Sequence, residues 1–263
     1  MHRFFSEEIN STSGEIRLSG SDAHHASQVL RLAEGDEIKV GSGDGRDYTC
    51  RITSVSNEEV VAVIEDICGN AAELPVRITL YQGFPKGDKM DFILQKAVEL
   101  GATRIVPVWM SRSVVKMDAA KAAKRRDRYQ AIAEAAAKQS GRGVIPEVGT
   151  FLGMKEAVNE AKKLNRILLP YENAEGMDAA RSCIDEICKD AAEGKVQSLG
   201  IFIGPEGGFE EAEVKALEEA GALTISLGHR ILRTETAGMA LLSILSFLMD
   251  PDKPDRRESE RYF

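Results

Sequence analysis

"IFIGPEGGFEEAEV", residues 201–214, sets an apolar strand, a loop with three glycines and an acidic helix start in a row. A strand that feeds a helix through a glycine loop is how many proteins grip a nucleotide phosphate. This loop carries Pro205 and Glu206 instead, with no lysine and no GxGxxG spacing. Glycines 204, 207 and 208 permit close backbone approach and positive φ. The loop therefore reads as the wall of a site whose ligand lacks a phosphate. A simple strand-to-helix turn, with acids favouring the helix N-terminus, accounts for Glu210 and Glu211. It needs one glycine, not three.

Outward from this loop, apolar strands alternate with helices. Strands are expected at "VRITLYQG" (76–83), "TRIVPVW" (103–109), "NRILLP" (165–170), "SLGIFIG" (198–204) and "LTISLG" (223–228). Helices are expected after Asp88 up to Gly101, and over 118–140, 153–164, 176–193, 210–220 and 235–249. Such alternation implies an α/β domain with a parallel sheet covered on both faces. Ligands of such sheets bind beyond the strands' carboxyl ends. Three successive strands here end in "PYENAEG", "GPEGGF" and "HRILRTETAG". If those strands are neighbours, their loops meet in one crevice. Glu172 and Glu206 would repel phosphate there and suit a cofactor with adenine, ribose and a positive centre, as in S-adenosylmethionine.

The first seventy residues differ. "EIRLS" (15–19), "DEIKVG" (36–41), "DYTCRITSVS" (47–56) and "EEVVAVIEDI" (58–67) read as strands of a small β domain. One helix interrupts them, with Ser21 as N-cap and Val29, Leu30 and Leu32 as apolar positions. "CGNAAELP" (68–75) reads as a linker, and "DPDKPDRRESERYF" (250–263) as a loose tail.

Composition removes several classes. With 263 residues and 43% hydrophobic content, the chain can build two cores. "MHRFFSEEIN" shows no signal-peptide pattern, and the apolar run 237–249 is too short to span a bilayer, so a cytoplasmic protein with no membrane partner is expected. The four cysteines lack CxxC spacing and the four histidines are scattered, so no metal is expected. No strand is followed by the glycine spacing of a dinucleotide-binding dehydrogenase.

The net charge of −8 speaks against a polyanion, but its distribution does not. Residues 1–72 carry 6 Lys+Arg against 13 Asp+Glu; residues 84–142 carry 13 against 6; residues 143–263 carry 14 against 22. A basic island thus lies between acidic blocks. "AAKAAKRRDRY" (119–129) within it can also be read as a solvated helix face.

"IGPEGGF" (203–209), "LGHRILRTETAGMALLSIL" (227–245), "LLPYE" (168–172), "QGFPKGDKMDFILQKAVELG" (82–101), "KQSGR" (138–142), "HRFF" (2–5) and "HHASQVLRLAEGD" (24–36) together resemble the bacterial ribosomal RNA small-subunit methyltransferase E family. The resemblance covers nearly the whole chain. It implies a PUA-like β-barrel RNA-binding domain over 1–70, a SPOUT methyltransferase domain with a trefoil knot over 76–250, and a tail from 251. It also implies S-adenosylmethionine-dependent methylation of uridine N3 in 16S rRNA on the 30S subunit, by a homodimer joined through the last helix. A knotted methyltransferase acting on tRNA or another rRNA site, or a non-catalytic RNA-binding assembly protein, remains open.

The resemblance assigns cofactor contacts to Leu169, Pro170, Glu172, Ile203, Gly204, Pro205, Glu206, Gly207, Leu227, Gly228, Ile231, Leu232, Thr236 and Ala237. Arg233 is the candidate cation for the uracil anion, or a salt-bridge partner of Glu235. Glu235 is the candidate base, an anchor for Arg233, or a helix cap. RNA contacts are expected from Arg3, Arg31, Lys86, Lys89, Lys96, Arg112, Gln139 and Arg142. Removing Arg112 or Arg142 is then expected to weaken RNA binding and spare the cofactor. Lys138 stands where the family often has an acid, so a catalytic role there is in doubt. The uncharged helix 237–249 needs cover on more than one face, from this subunit or a second one.

Overall fold

A computed structural model describes residues 1–6, 9–10, 14–43, 46–70, 72–113, 117–174 and 176–250. The tail expected over 251–263 lies outside them. By contact the chain divides into two compact units, one including residues 1–73 and 137–145, the other 74–136 and 146–250.

The first unit is a six-stranded sheet. Its strands are β1 (His2–Phe5), β2 (Ile9–Asn10), β3 (Glu15–Ser19), β4 (Glu37–Gly41), β5 (Arg46–Val55) and β6 (Glu59–Gly69), in the order β1-β4-β5-β6-β3-β2. Among the described residues only β1–β4 is a parallel pair. Alternation along β3 to β6 puts Ile16, Leu18, Ile38, Val40, Cys50, Ile52, Val60 and Ala62 into one core. Register shifts between β5 and β6, at Thr49/Cys50 and Ile52/Ser54, increase the local twist and curl the sheet. β1 and β2 are too short to show alternation, and β6 takes the first two residues of the expected linker.

The interrupting helix differs from expectation. α1 spans Gly20–His24 with Ser19, not Ser21, at its N-cap, and no side chain caps it. It continues as a wider π-turn over His25–Val29, closed by the Leu30 N–H donating to the His25 carbonyl at 2.9 Å. The wider pitch rotates the apolar face. Val29 is therefore 60% exposed, while Leu30 and Leu32 pack on the core.

The second unit runs β7 (Arg77–Gly83), α2 (Lys89–Glu99), β8 (Ala102–Trp109), α3 (Ala119–Ser140), β9 (Glu147–Val148), β10 (Leu152–Gly153), α4 (Met154–Ala161), β11 (Arg166–Pro170), α5 (Met177–Ala192), β12 (Ser198–Ile203), α6 (Glu211–Glu219), β13 (Ala222–Ile225) and α7 (Thr234–Met249). The last residues of α3 belong to the first unit. Asp88 occupies the N-cap of α2 without a side-chain bond. All strands are parallel, in the order β10-β8-β7-β12-β11-β13, with β9 paired to β8. β7 is buried from Ile78 to Gly83, which is why it reads as a near-continuous apolar run. Tyr81 stacks on Phe202 across the β7–β12 pair with ring centres 4.4 Å apart.

Beyond β13, at the sheet's edge, the chain returns to the middle. Thr234, the first residue of α7, bonds to Gln82 on β7 and to the Gly204 carbonyl beyond β12. α7 then packs on α2, α5 and β12. This return past β11 and β12 is the crossing that a knotted sheet implies.

Candidate functional site

The three strands picked out by their loops are neighbours and finish level. Leu168 pairs with Ile201 and Pro170 with Ile225, so Pro170, Ile203 and Ile225 end in one row. Gln82 on β7 is in register with Ile203. The loops that follow line one cavity of about 630 Å³. That is the size in which a drug-sized ligand is largely enclosed.

Of the expected cofactor residues, Pro170, Glu172, Ile203, Gly204, Pro205, Glu206, Gly207, Leu227, Gly228, Ile231, Leu232 and Ala237 line this cavity. Leu169 does not: strand alternation turns it into the sheet's core, fully buried. Thr236 does not line it either, one residue short of Ala237 on α7. Ile231 contributes to the wall while the residue is 84% exposed. Residues 226, 229 and 230 (Ser226, His229, Arg230) also line it and escaped the sequence reading, because isolated polar residues in a loop carry no periodic signal.

The glycine loop is held by packing and by hydrogen bonds. A Cβ on Gly83 would lie 2.5 Å from the Pro205 nitrogen, so β7 and the loop approach backbone to backbone. Of the loop's own glycines, Gly208 takes the positive φ, +70°. Thr234 Oγ1 donates to the Gly204 carbonyl at 2.6 Å and accepts from Gln82 Nε2 at 2.8 Å. Gln82 and Thr234 are both buried.

Glu206 does not present a free carboxylate to the cavity. Its Oε1 accepts from Lys89 Nζ at 3.0 Å and from the Lys86 N–H at 3.1 Å. Burial pushes its pKa up, but the Lys89 ammonium and nearby N–H groups outweigh it and hold the carboxyl below the usual range. The same Glu206 bond, ahead of the opposing cost of burial, pushes the Lys89 pKa up. Glu172 is an exposed acid of the cavity with no partner among the described residues.

Arg233 is exposed at the N-cap of α7 and lines the cavity, without an ion-pair partner among the described residues. Its expected partner, Glu235, lies instead 3.4 Å from Lys89 Nζ and does not line the cavity.

The expected RNA residues scatter. Arg31 is exposed with φ +55°, and Gln139 is exposed on α3. Lys86 is exposed, whereas Lys96 pairs with Glu99 at 2.7 Å. Two assignments are corrected by burial. Arg142 is 1% exposed and bonded to Glu73 at 2.7 and 2.9 Å. Arg3, its side chain 9% exposed, is clamped by the carboxylate of buried Asp47. Arginines closed off by carboxylates in this way offer no charge to a phosphate. Arg112 is exposed, but its guanidinium is already bonded to Glu210 and the Gly207 carbonyl. Lys138, the departure from the family pattern, pairs with Asp22 at 2.8 Å.

Among the described residues no cluster of His, Cys, Asp and Glu could hold a metal, and no helix is long and apolar enough to cross a membrane.

Comparisons with known proteins give the same reading from outside. A family model for an RNA methyltransferase domain matches residues 72–246, and one for an RNA methyltransferase PUA domain matches 18–65. The ribosomal RNA small subunit methyltransferase E of Bacillus subtilis is 37% identical over 94% of this chain and 96% of its own. A Neisseria gonorrhoeae protein of that name, solved with S-adenosylmethionine bound, superposes with TM-score 0.80 at 33% identity, over 94% of this chain and 98% of that one. A Legionella pneumophila methyltransferase, solved with its cofactor bound, gives 0.77 at 30% identity, over 93% and 96%. With nearly full-length relatives and the level strand ends in agreement, the chain belongs to the ribosomal RNA small subunit methyltransferase E family.

Proposed function

We propose that this chain moves a methyl group from S-adenosylmethionine to N3 of a uridine in 16S rRNA, on the 30S subunit and as a homodimer. The coarse activity follows from family membership: the chain is an S-adenosylmethionine-dependent rRNA methyltransferase. The observation that carries the reading is the single cavity at the level ends of β11, β12 and β13.

The residues present fit that cofactor. Pro170, Ile203, Leu227, Leu232 and Ala237 offer apolar wall to an adenine. Gly204 and Gly207 line the cavity, and Glu172 has a carboxylate for an ammonium or a ribose hydroxyl. The Lys89–Glu206 pair cancels the cationic charge that would favour a phosphate. When bound, the cofactor supplies an electrophilic methyl on a sulfonium.

The chain's own residues must hold the uracil in line and exclude water. N3 of neutral uracil carries a proton that leaves as the new bond forms, and the negative charge spreads onto the flanking oxygens. Arg233 at the cavity mouth is the cation we assign to those oxygens, with the positive N-terminus of α7 adding to it. Glu235 acts through Lys89 and is assigned a positioning role. The target base, inside ribosomal structure, is splayed out to reach the cavity. A ribosomal substrate puts the work in the cytoplasm.

Methylation of purified small subunits and of naked 16S rRNA with labelled cofactor, followed by nucleoside analysis, tests this. The expected product is 3-methyluridine, formed on the subunit. Another methylated nucleoside would overturn the N3 assignment, and activity on naked RNA alone would overturn the subunit assignment.

A further inference from the structure

The first turns of α3, residues 119–130, hold five Lys and Arg against one Asp. Lys121, Lys124, Arg125 and Arg128 fall at i, i+3, i+4 and i+7, one stripe along the helix. The buried positions of α3, Tyr129, Ala133, Ala136 and Ala137, lie off that stripe. Lys121, Lys124 and Arg128 are exposed, with the Lys121 side chain 77% accessible. Two of the four charges are partly balanced, Lys121 by Asp118 and Arg128 by Asp91.

Arg125 is held differently. Its guanidinium sits 5.7 Å from the centre of the Phe84 ring, which is edge-on to Trp109 and Phe151 at 5.1 Å. Trp109 and Phe151 stack at 5.0 Å and are half-buried. An arginine laid on an aromatic face keeps its donors while losing rotamer freedom, so gripping an anion costs it less ordering. Phe84 follows Gly83, the residue that touches the glycine loop at Pro205. Arg125 thus sits beside the carboxyl end of β7, the strand that touches the glycine loop.

We propose that the α3 stripe is a phosphate-binding track for the rRNA substrate, gripping backbone outside the target nucleotide. The inference rests on the rRNA methyltransferase reading and adds the surface that the RNA occupies. Charge complementarity commits the occupant: a cationic row on a chain of net charge −8 suits a polyanion.

The test is fluorescence anisotropy of the full chain with end-labelled small-subunit rRNA over a range of KCl concentrations, alongside methyl incorporation into the same RNA and into assembled small subunits. The variants are Lys124→Glu with Arg125→Glu, the milder Lys124→Gln with Arg125→Gln, and a control, Lys215→Glu, on α6 with a 77% accessible side chain. Each lost phosphate contact lowers the log–log salt slope by roughly 0.7 to 0.9. The double Gln variant is expected to lower it by about 1.5 and the double Glu variant by more, with S-adenosylmethionine affinity and the Lys215→Glu slope unchanged. Wild-type slopes in both double variants would overturn the track. So would a defect confined to assembled subunits with binding to rRNA intact, which would make the stripe a protein contact. A wild-type chain that binds rRNA but methylates neither that RNA nor assembled small subunits sinks the functional reading, while the slopes still judge the track.

Discussion

Arg112, on the turn after β8, donates from Nε to Glu210 Oε1 at 2.8 Å. Its Nη1 donates to the Gly207 carbonyl at 2.9 Å, and a Cβ on Gly207 would come within 2.9 Å of the Arg112 Cβ. The neighbouring Ser111 N–H donates to Glu213, a buried acid at the start of α6. The turn after β8 is therefore fastened to both ends of the glycine loop's second half. Arg112→Ala is expected to weaken S-adenosylmethionine binding by roughly tenfold, equivalent to about 1.4 kcal/mol. Arg112→Lys should recover only part, because one ammonium lacks the planar fork that reaches both acceptors. Calorimetry with the cofactor measures this. Unchanged cofactor affinity with a flatter RNA salt slope would return Arg112 to the phosphate contacts.

Thr234 joins three segments through one hydroxyl, since it donates to Gly204 and accepts from Gln82. Thr234→Val keeps the volume and removes both bonds. A buried acceptor left unpaired costs on the order of 1–3 kcal/mol, a melting shift of several degrees for a domain of this size. The valine variant should melt earlier and bind the cofactor more weakly. Thr234→Ser, which keeps the hydroxyl, should restore most of both. Equal behaviour of the Val and Ser variants would show that packing, not the bonds, matters there.

How much of this was readable beforehand depends on what carries the signal. Five of the seven described strands from 76 onward were legible because a sheet buried on both faces leaves continuous apolar runs such as "GIFI", whereas the two-residue β9 and β10 are too short to leave one. The three loops were legible because glycine and proline cluster where strands end. The π-turn after α1 was not, since a change of pitch moves Val29 to the surface without altering composition. Nor were the fates of the cations. Arg142 and Glu73 stand 69 positions apart, and Arg112 and Glu210 stand 98 apart. A basic residue in a promising motif looks the same whether its partner is RNA or a distant carboxylate. Only the fold brings that carboxylate beside it.

Lys89 and Glu206 give the cavity a pH dependence with a definite sign. The Glu206 pKa is lowered in the folded chain, so its contribution is present above the ordinary glutamate pKa and is lost as pH falls through the folded value. The Lys89 pKa is raised, so its contribution is full below the ordinary lysine pKa and is lost as pH rises through the folded value. The pair therefore works between about pH 4.3 and 10.4. Lys89→Met should lower the melting temperature at pH 7. The gap from wild type should narrow on acidification below pH 4, where wild type loses the same pair. A gap that stays constant down to pH 3 would show that the pair contributes nothing to stability.

Glu235 separates two mechanisms. Its Oε2 is buried without a hydrogen bond, and Lys89 Nζ stands 3.4 Å away. A general base removed from its site costs roughly 10²- to 10⁴-fold in rate. A carboxylate that only steadies Lys89 costs far less. Glu235→Gln is expected to reduce kcat by less than tenfold and to leave the shape of the pH–rate profile intact. Arg233→Ala should cost much more in kcat than in cofactor affinity. A hundredfold loss in Glu235→Gln with a vanished limb of the pH profile would make Glu235 the proton acceptor.

The last helix exposes what a monomer would cover. Leu241, Leu242, Leu245 and Met249 are buried against this subunit, while Ile244, Phe247 and Leu248 face outward, with Phe247 84% exposed. They fall at i, i+3 and i+4, so they share one side of α7. α2, on which α7 packs, exposes Phe92 at 44%. An apolar face of this kind suits a second copy of the chain, for which a stable interface buries on the order of 1,200 Å² or more. Placing a charge at the centre of such a contact is costly. Phe247→Glu should turn a dimer into a monomer by light scattering, with the melting temperature falling and becoming independent of protein concentration. A wild-type chain that already scatters as a monomer, or a Phe247→Glu variant that remains a dimer, would remove α7 as the joining surface.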